Sequence, residues 1–381
     1  PCFLKYEAIY YQLTLPYIIQ YKDNYLYSIM HNNQMAENVE SNKGFTGLMN
    51  LGNTCFLNSC VQVLSHTYEL TEFMESKKYK DHLKDRTENI IINEWNDLRT
   101  VMWSKNGVVS PKRFVHHVQQ IAMQKDRELF TGYAQNDLPE FLLFLVDSFH
   151  IAMQREVEMN IKGNALNDRD KLAKVCYTMM QNMYKKEYSD ILKIFYGIHV
   201  SQIVNLEGDS LSQHAEPFFM IDLPIPKDNK SPTLIDCLDE YYKPERLDGD
   251  NAYLNEKTNK KEDVDKGLVV WSFPNVLVIS LKRFNNSIRK DQRLVTFDLE
   301  NMNLSKYVKG YDKNSYVYDL YGICNHGGNT WGGHYTAYVK NADNNWYHFN
   351  DTHVSKLTTN IEHSLISTRA YCLFYQKKNV I

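Results

Sequence analysis

Apolar residues along this chain repeat with a helical period in the first half and with strand character in the second, and the change falls once, near Phe195. Leu57, Val61 and Leu64 recur at spacings of three and four, as do Leu138, Phe141, Leu142, Leu145 and Phe149, so residues 56–64 and 138–149 are predicted helices. Helical character continues from about residue 95 to 195, with a charged surface segment near 162–174. Beyond it, segments 218–226, 268–273, 276–283, 316–324, 334–339, 346–349 and 369–376 are rich in β-branched and aromatic residues and bounded by turn formers, as strands are. Helices first and strands afterwards imply an α+β fold, with a helical first half and an antiparallel β second half. The charge-dense stretch 248–266 reads as a projecting hairpin or loop. Residues 1–43 read as an N-terminal extension, irregular or briefly extended to about residue 31 and an Asn- and Glu-rich linker from there; the main domain spans 44–381.

With 381 residues, 43% of them hydrophobic, the chain can bury a core without staples. Its 43 basic and 46 acidic residues leave a formal charge of -3, which gives no global field for nucleic acid or an anionic membrane. The most apolar window, 268–281, is cut by Pro274 and Asn275, well short of the roughly 18 residues of a membrane span. Seven cysteines, at 2, 55, 60, 176, 237, 324 and 372, form no Cys-x-x-Cys pair. That pattern argues for reduced thiols in an intracellular protein, against a disulfide framework and against a cysteine zinc cage. Residues 1–30 lack the basic-then-apolar order of a signal peptide, which agrees with an intracellular address.

In Gly47-Leu48-Met49-Asn50-Leu51-Gly52-Asn53-Thr54-Cys55-Phe56, a cysteine stands where a Gly-containing loop meets a helix. A helix N-terminus and a nearby imidazolium lower a thiol's pKa, so Cys55 is placed for activation. An arbitrary cysteine is more often a buried structural thiol, and Cys60 in the same helix is read that way. A base is available in Gly332-Gly333-His334-Tyr335, and Trp346-Tyr347-His348-Phe349-Asn350-Asp351 offers it an orienting amide or carboxylate on the next strand. Asn50 either aims its amide at a developing oxyanion or, like Asn53, bends the turn before the helix; the spacing leaves both open. Asp137, with Pro139 and Glu140 following, has the pattern of a helix cap.

The segment from Gly47 to Ser59 resembles the cysteine box of the ubiquitin-specific proteases, and Gly333-His334-Tyr335 through Phe349-Asn350-Asp351 resembles their histidine box. Gln135-Asn136-Asp137 with Glu140-Phe141-Leu142, Leu281-Lys282-Arg283-Phe284, and Ala370-Tyr371-Cys372-Leu373-Phe374-Tyr375 follow in the family's order. The resemblance implies a papain-like cysteine protease core arranged as a helical thumb over about 44–195 and β fingers and palm over about 196–381. It implies cleavage after the C-terminal glycine of ubiquitin through an acyl-enzyme thioester, by a monomer without cofactor. Carried over by motif, Cys55 is the nucleophile, His334 the general base and acid, Asn350 the third triad member and Asn50 the oxyanion donor. Asp351 beside them polarises the hydrolytic water or orders the oxyanion site. Gln135, Asp137 and Glu140 are substrate-binding, the two carboxylates facing the arginines of ubiquitin's tail. The Leu281 block is read as palm structure.

The chain departs from the family pattern at the fingertips. Many members clasp zinc there with two Cys-x-x-Cys pairs, whereas the matching positions here are Asn205, Gly208, Asn255 and Thr258, so no metal site is expected. Two other readings compete: a non-catalytic ubiquitin-binding scaffold, disfavoured because both Cys55 and His334 are kept, and a protease for another ubiquitin-like modifier.

Overall fold

The helix α1 (Cys55–Ser65) is buried along its whole length, its polar side chains Asn58, Ser59, Gln62 and Ser65 included, so it is covered on every side. The computed structural model describes residues 18–20, 42–132, 134–256, 258–284, 289–329 and 332–378. In it α1 lies between the other thumb helices and one face of the palm sheet. Those helices are α2 (Tyr68–Glu75), α3 (Asn89–Ser104), α4 (Lys112–Gln124), α5 (Leu138–Met153), α6 (Asp168–Glu187) and α7 (Asp190–Phe195). Two polar side chains buried with α1 donate to backbone carbonyls: Gln62 Nε2 to Thr46 O at 2.8 Å and Ser65 Oγ to Gln62 O at 2.9 Å.

The longer strands of the second half are β1 (Gly197–Asn205), β2 (Ser210–Phe218), β3 (Met220–Leu223), β4 (Val264–Ser272), β5 (Val276–Leu281), β6 (Val317–Asn329), β7 (Gly332–Lys340), β8 (Trp346–Asn350), β9 (His353–Lys356) and β10 (Ala370–Lys377). The palm sheet runs β9-β8-β7-β6-β10-β5-β3. Its inner strands are covered on both faces. Val276, Val278, Cys372 and Phe374 pack towards α1, and Leu277, Ile279, Leu373 and Tyr375 pack towards a second core. This second core is closed by α8 (Leu234–Tyr242), a helix inside the strand-rich half that the apolar pattern alone does not predict. Its start was readable, because Thr233 and Asp236 form a capping box.

One pairing departs from the antiparallel expectation: β3 runs parallel to β5. A parallel pair needs a long crossover, and the fingers with α8 supply it between residues 223 and 276. The Leu281 block is also not all strand. β5 ends at Leu281, and the fully buried Arg283 instead binds carbonyls, donating from Nε to Ala370 O at 2.7 Å and from a terminal nitrogen to Arg293 O at 2.8 Å.

In the fingers, β2, β1, β4 and the short strand Glu245–Leu247 form a second sheet, packed on α6 through Leu172, Cys176, Tyr177, Val200 and Trp271. The expected hairpin is Tyr253–Asn255 paired with Lys260–Glu262, while 264–266 already belongs to β4. Both fingertip turns are closed by side chains. Asn205 Oδ1 accepts from the N–H of Glu207 at 3.1 Å and of Asp209 at 2.7 Å. Glu262 Oε1 accepts from Asn255 Nδ2 at 3.1 Å and from Thr258 Oγ1 at 2.8 Å. The expected extension and linker lie outside the described residues apart from Asn42, Lys43 and Ile18–Gln20, the last of which pairs antiparallel with Asn160–Lys162.

Three buried histidines tie this fold to pH. His66 sits against Trp103 and Phe349, His199 stacks on Phe218 at 3.7 Å, and His326 lies among Phe284, Tyr335 and Tyr371. Burial pulls each imidazole down from 6.5 to about 4. The unfolded chain therefore binds protons below about pH 6.5 that the folded chain refuses, so stability is full above that pH and is lost as pH falls towards 4. The unfolding free energy should fall by about 1–2 kcal/mol per histidine between pH 7 and pH 5, read as a drop in the urea midpoint. A midpoint unchanged over that interval would contradict this account.

Candidate active site

The loop that delivers Cys55 to the first position of α1 is built against the turn between β8 and β9. At Gly47 a Cβ would stand 2.4 Å from Thr352 O, so only glycine fits. Next to it, Leu48 N–H donates to Asp351 O at 2.8 Å. Asp351 holds a left-handed backbone, φ 50°, in the two-residue turn that follows Asn350. Its carboxylate accepts from Asn50 Nδ2 at 2.9 Å and from Asn58 Nδ2 at 2.7 Å. Asn50 Oδ1 meanwhile accepts from the N–H of Gly52 at 3.0 Å and of Thr54 at 3.1 Å. Asn50 thus closes the turn through its carbonyl and faces Asp351 through its amide. Asn58, buried and three residues beyond Cys55 on the same helix, did not stand out in the sequence. Its position at i+3 from the thiol was the available signal.

Cys55 is 2% exposed and opens the helix. Burial pushes its thiol up, the backbone N–H of Tyr335 opposes this, and the Asp351 carboxylate adds to it. The net shift is upward, contrary to the lowering expected from the helix terminus: desolvation outweighs the first-turn N–H groups. Burial therefore favours the neutral thiol, and forming the thiolate calls for a base. Cys60 is fully buried, and burial pushes its thiol far higher.

His334 lies on β7 beside Tyr335. β7 pairs with β8 through Ala337 and Phe349, which puts Asn350 diagonally across from His334, and His334 Nε2 meets Asn350 Oδ1 at 2.6 Å. Which ring nitrogen carries the proton follows from this contact, since an amide oxygen can only accept. Nε2 is the N–H, and Nδ1 is left as the acceptor. Asn350 and Asp351 face different partners, the histidine and the asparagines respectively.

Asp137 occupies the N-cap position of α5, yet its side chain makes no capping bond. Its Oδ1 accepts instead from Tyr371 Oη at 3.0 Å and Tyr335 Oη at 3.3 Å. The cap reading is corrected on that point: two phenols outcompete the helix amides. Burial raises the Asp137 carboxyl, the Tyr371 hydroxyl opposes, and the charges of Glu140 and Asp222 add to the rise. Glu140 is exposed in the first turn of α5. Asp222, unremarked in the sequence, enters from β3 and pairs with Lys282 at 3.5 Å. Gln135 reaches across to Gly333. Among the described residues no group of three or more His, Cys, Asp and Glu side chains could hold a metal ion.

The family model for ubiquitin carboxyl-terminal hydrolase matches residues 46–375. Ubiquitin carboxyl-terminal hydrolase 2 of Homo sapiens is 33% identical over 353 residues, covering 89% of this chain and 56% of the human protein. Its Gallus gallus counterpart is 34% identical over 360 residues, covering 90% of this chain and 97% of that protein. The chain thus spans little more than half the length of the human relative. Among solved structures, the SAGA Ubp8/Sgf11/Sus1/Sgf73 DUB module bound to ubiquitin aldehyde superimposes with a TM-score of 0.68 at 24% identity, over 95% of this chain and 78% of that one. That likeness supports the thumb, palm and fingers architecture. The extent of the family match and the identity to these relatives show that the chain belongs to the ubiquitin carboxyl-terminal hydrolase family.

Proposed function

We propose that the chain is a deubiquitinating cysteine protease that hydrolyses the peptide, isopeptide or thioester bond after the C-terminal glycine of ubiquitin, using Cys55, His334 and Asn350. The observation that carries this reading is the meeting of the Cys55 helix start with the His334 strand, where Asn350 holds the imidazole at 2.6 Å. His334 takes the thiol proton, which burial keeps on sulfur at rest. The Cys55 sulfur then bonds to the glycyl carbonyl carbon, and the oxygen becomes an oxyanion. An amide nitrogen carries two N–H donors and Asp351 takes one from Asn50. The other is assigned to the oxyanion, together with backbone N–H at the helix start. Collapse breaks the bond to the leaving amine, which receives the proton from His334, and leaves a thioester. Water gives a proton to His334 and attacks the thioester; collapse returns the thiol and frees the glycine carboxylate. Asp137, Glu140 and Asp222 supply negative charge for the arginines of the tail. Ubiquitin and its conjugates are the proposed partners.

A ubiquitin probe carrying a C-terminal electrophile tests this. Stoichiometric labelling should map to Cys55, and probes built on other ubiquitin-like modifiers should label more slowly. Labelling at Cys60 or Cys324 would overturn the nucleophile, and preferential labelling by another modifier would overturn the substrate.

A further inference from the structure

Gln135 bridges the thumb and the edge of β7 with both ends of its side-chain amide. Its Nε2 donates to Gly333 O at 2.6 Å, and Gly333 N–H donates to its Oε1 at 2.9 Å. One side chain therefore takes both polar groups of a strand residue, as a peptide group of a neighbouring strand would. Along a strand these groups alternate between edges, so Gly333, Tyr335, Ala337 and Val339 share one. β8 covers that edge only from Ala337 to Lys340. At Tyr335 the backbone N–H faces the Cys55 thiol, and at Gly333 the occupant is Gln135. An extended tail whose terminal carbonyl lies at Cys55 passes Gly333 about 6–7 Å away and needs the same N–H and C=O for its own backbone. The strand cannot yield: a Cβ on Gly333 would stand 2.2 Å from His326 Nε2 and 2.7 Å from Gly327 O. Gln135, exposed and outside regular structure, can.

We propose that Gln135 is a built-in competitor of the substrate, a latch whose amide occupies the Gly333 edge in the free protein and must leave before the ubiquitin tail docks. This rests on the function proposed above and reverses the sign expected of Gln135 as a plain substrate contact.

The test is ubiquitin binding by titration calorimetry, comparing Cys55→Ala with the double variants that add Gln135→Ala or Gln135→Leu; leucine keeps the bulk without the amide. Removing the latch should lower Kd about five- to tenfold, the worth of one net hydrogen bond. Melting temperatures identify a variant that fails to fold, and the other then decides. Unchanged or weaker binding in a folded double variant overturns the latch alone. Failure of the Cys55→Ala parent to bind ubiquitin overturns the functional reading, and the latch with it.

Discussion

Cys55→Ala should abolish hydrolysis of ubiquitin conjugates, a loss on the order of 10⁵–10⁶-fold in kcat, while ubiquitin still binds. The asymmetry follows from geometry. The thiol is 2% exposed and offers almost no area to a partner, whereas the acidic residues proposed to hold the tail, Asp137, Glu140 and Asp222, stand on α5 and β3 and do not depend on it. Alanine removes one buried sulfur and leaves no unpaired charge behind, so the fold should persist. Hydrolysis and binding measured on the same preparation decide the matter. Residual turnover above about 1% of the parent would point to a different nucleophile, and loss of binding in a folded variant would overturn ubiquitin as the substrate.

The second large effect separates Asn350 from Asp351. Asp351→Ala removes the acceptor that Asn50 and the buried Asn58 share, 2.9 and 2.7 Å away, so the loop carrying the proposed oxyanion donor loses its anchor. A fall in kcat of about 10²–10³-fold is expected, the scale of losing one such donor. Because the Asp351 carboxylate helps to hold the Cys55 thiol up, alkylation of Cys55 should shift to lower pH in this variant even as turnover collapses. A purely structural role for Asp351 would not move that profile in this direction. Asn350→Ala acts on His334 instead and should slow acylation, whereas Asn350→Asp keeps an acceptor for the imidazole N–H and should stay active. Normal single-turnover acylation by Asn350→Ala, with none by Asp351→Ala, would exchange the roles assigned to the two.

Much of this site was legible because its chemistry is written in short segments. Cys55 follows a turn-forming loop and starts a periodic helix, and Gly333 and His334 open an apolar strand; both patterns are local. What the sequence withheld is what distant segments do to each other. Nothing near residue 137 says that Tyr335 and Tyr371 will claim its carboxylate in place of the helix amides. Nothing near residue 55 tells how far desolvation will outweigh the helix terminus. The parallel pairing of β3 with β5 has the same origin, because hydrophobic alternation is blind to strand direction. Gln135 offers the plainest case: its type and motif position point to substrate, and only the fold reveals that it meets its own backbone first.

The place of β10 in the palm has a consequence for how the protein comes into being. Among the described residues, 370–377 form the last strand of the palm sheet in chain order, yet they insert between β6 and β5 rather than adding to an edge. Until they emerge, these two neighbours lack their shared partner, and the turn holding Asp351 rests on an unfinished sheet. Cys55, the proposed nucleophile, is made some three hundred residues earlier and therefore waits for its proposed base His334 and for the sheet that holds it. Ordering of the proposed site is deferred until β10 has emerged, by long-range pairing, which is slow to nucleate. A ribosome-bound fragment that already contains Cys55 and the whole thumb should leave ubiquitin conjugates intact.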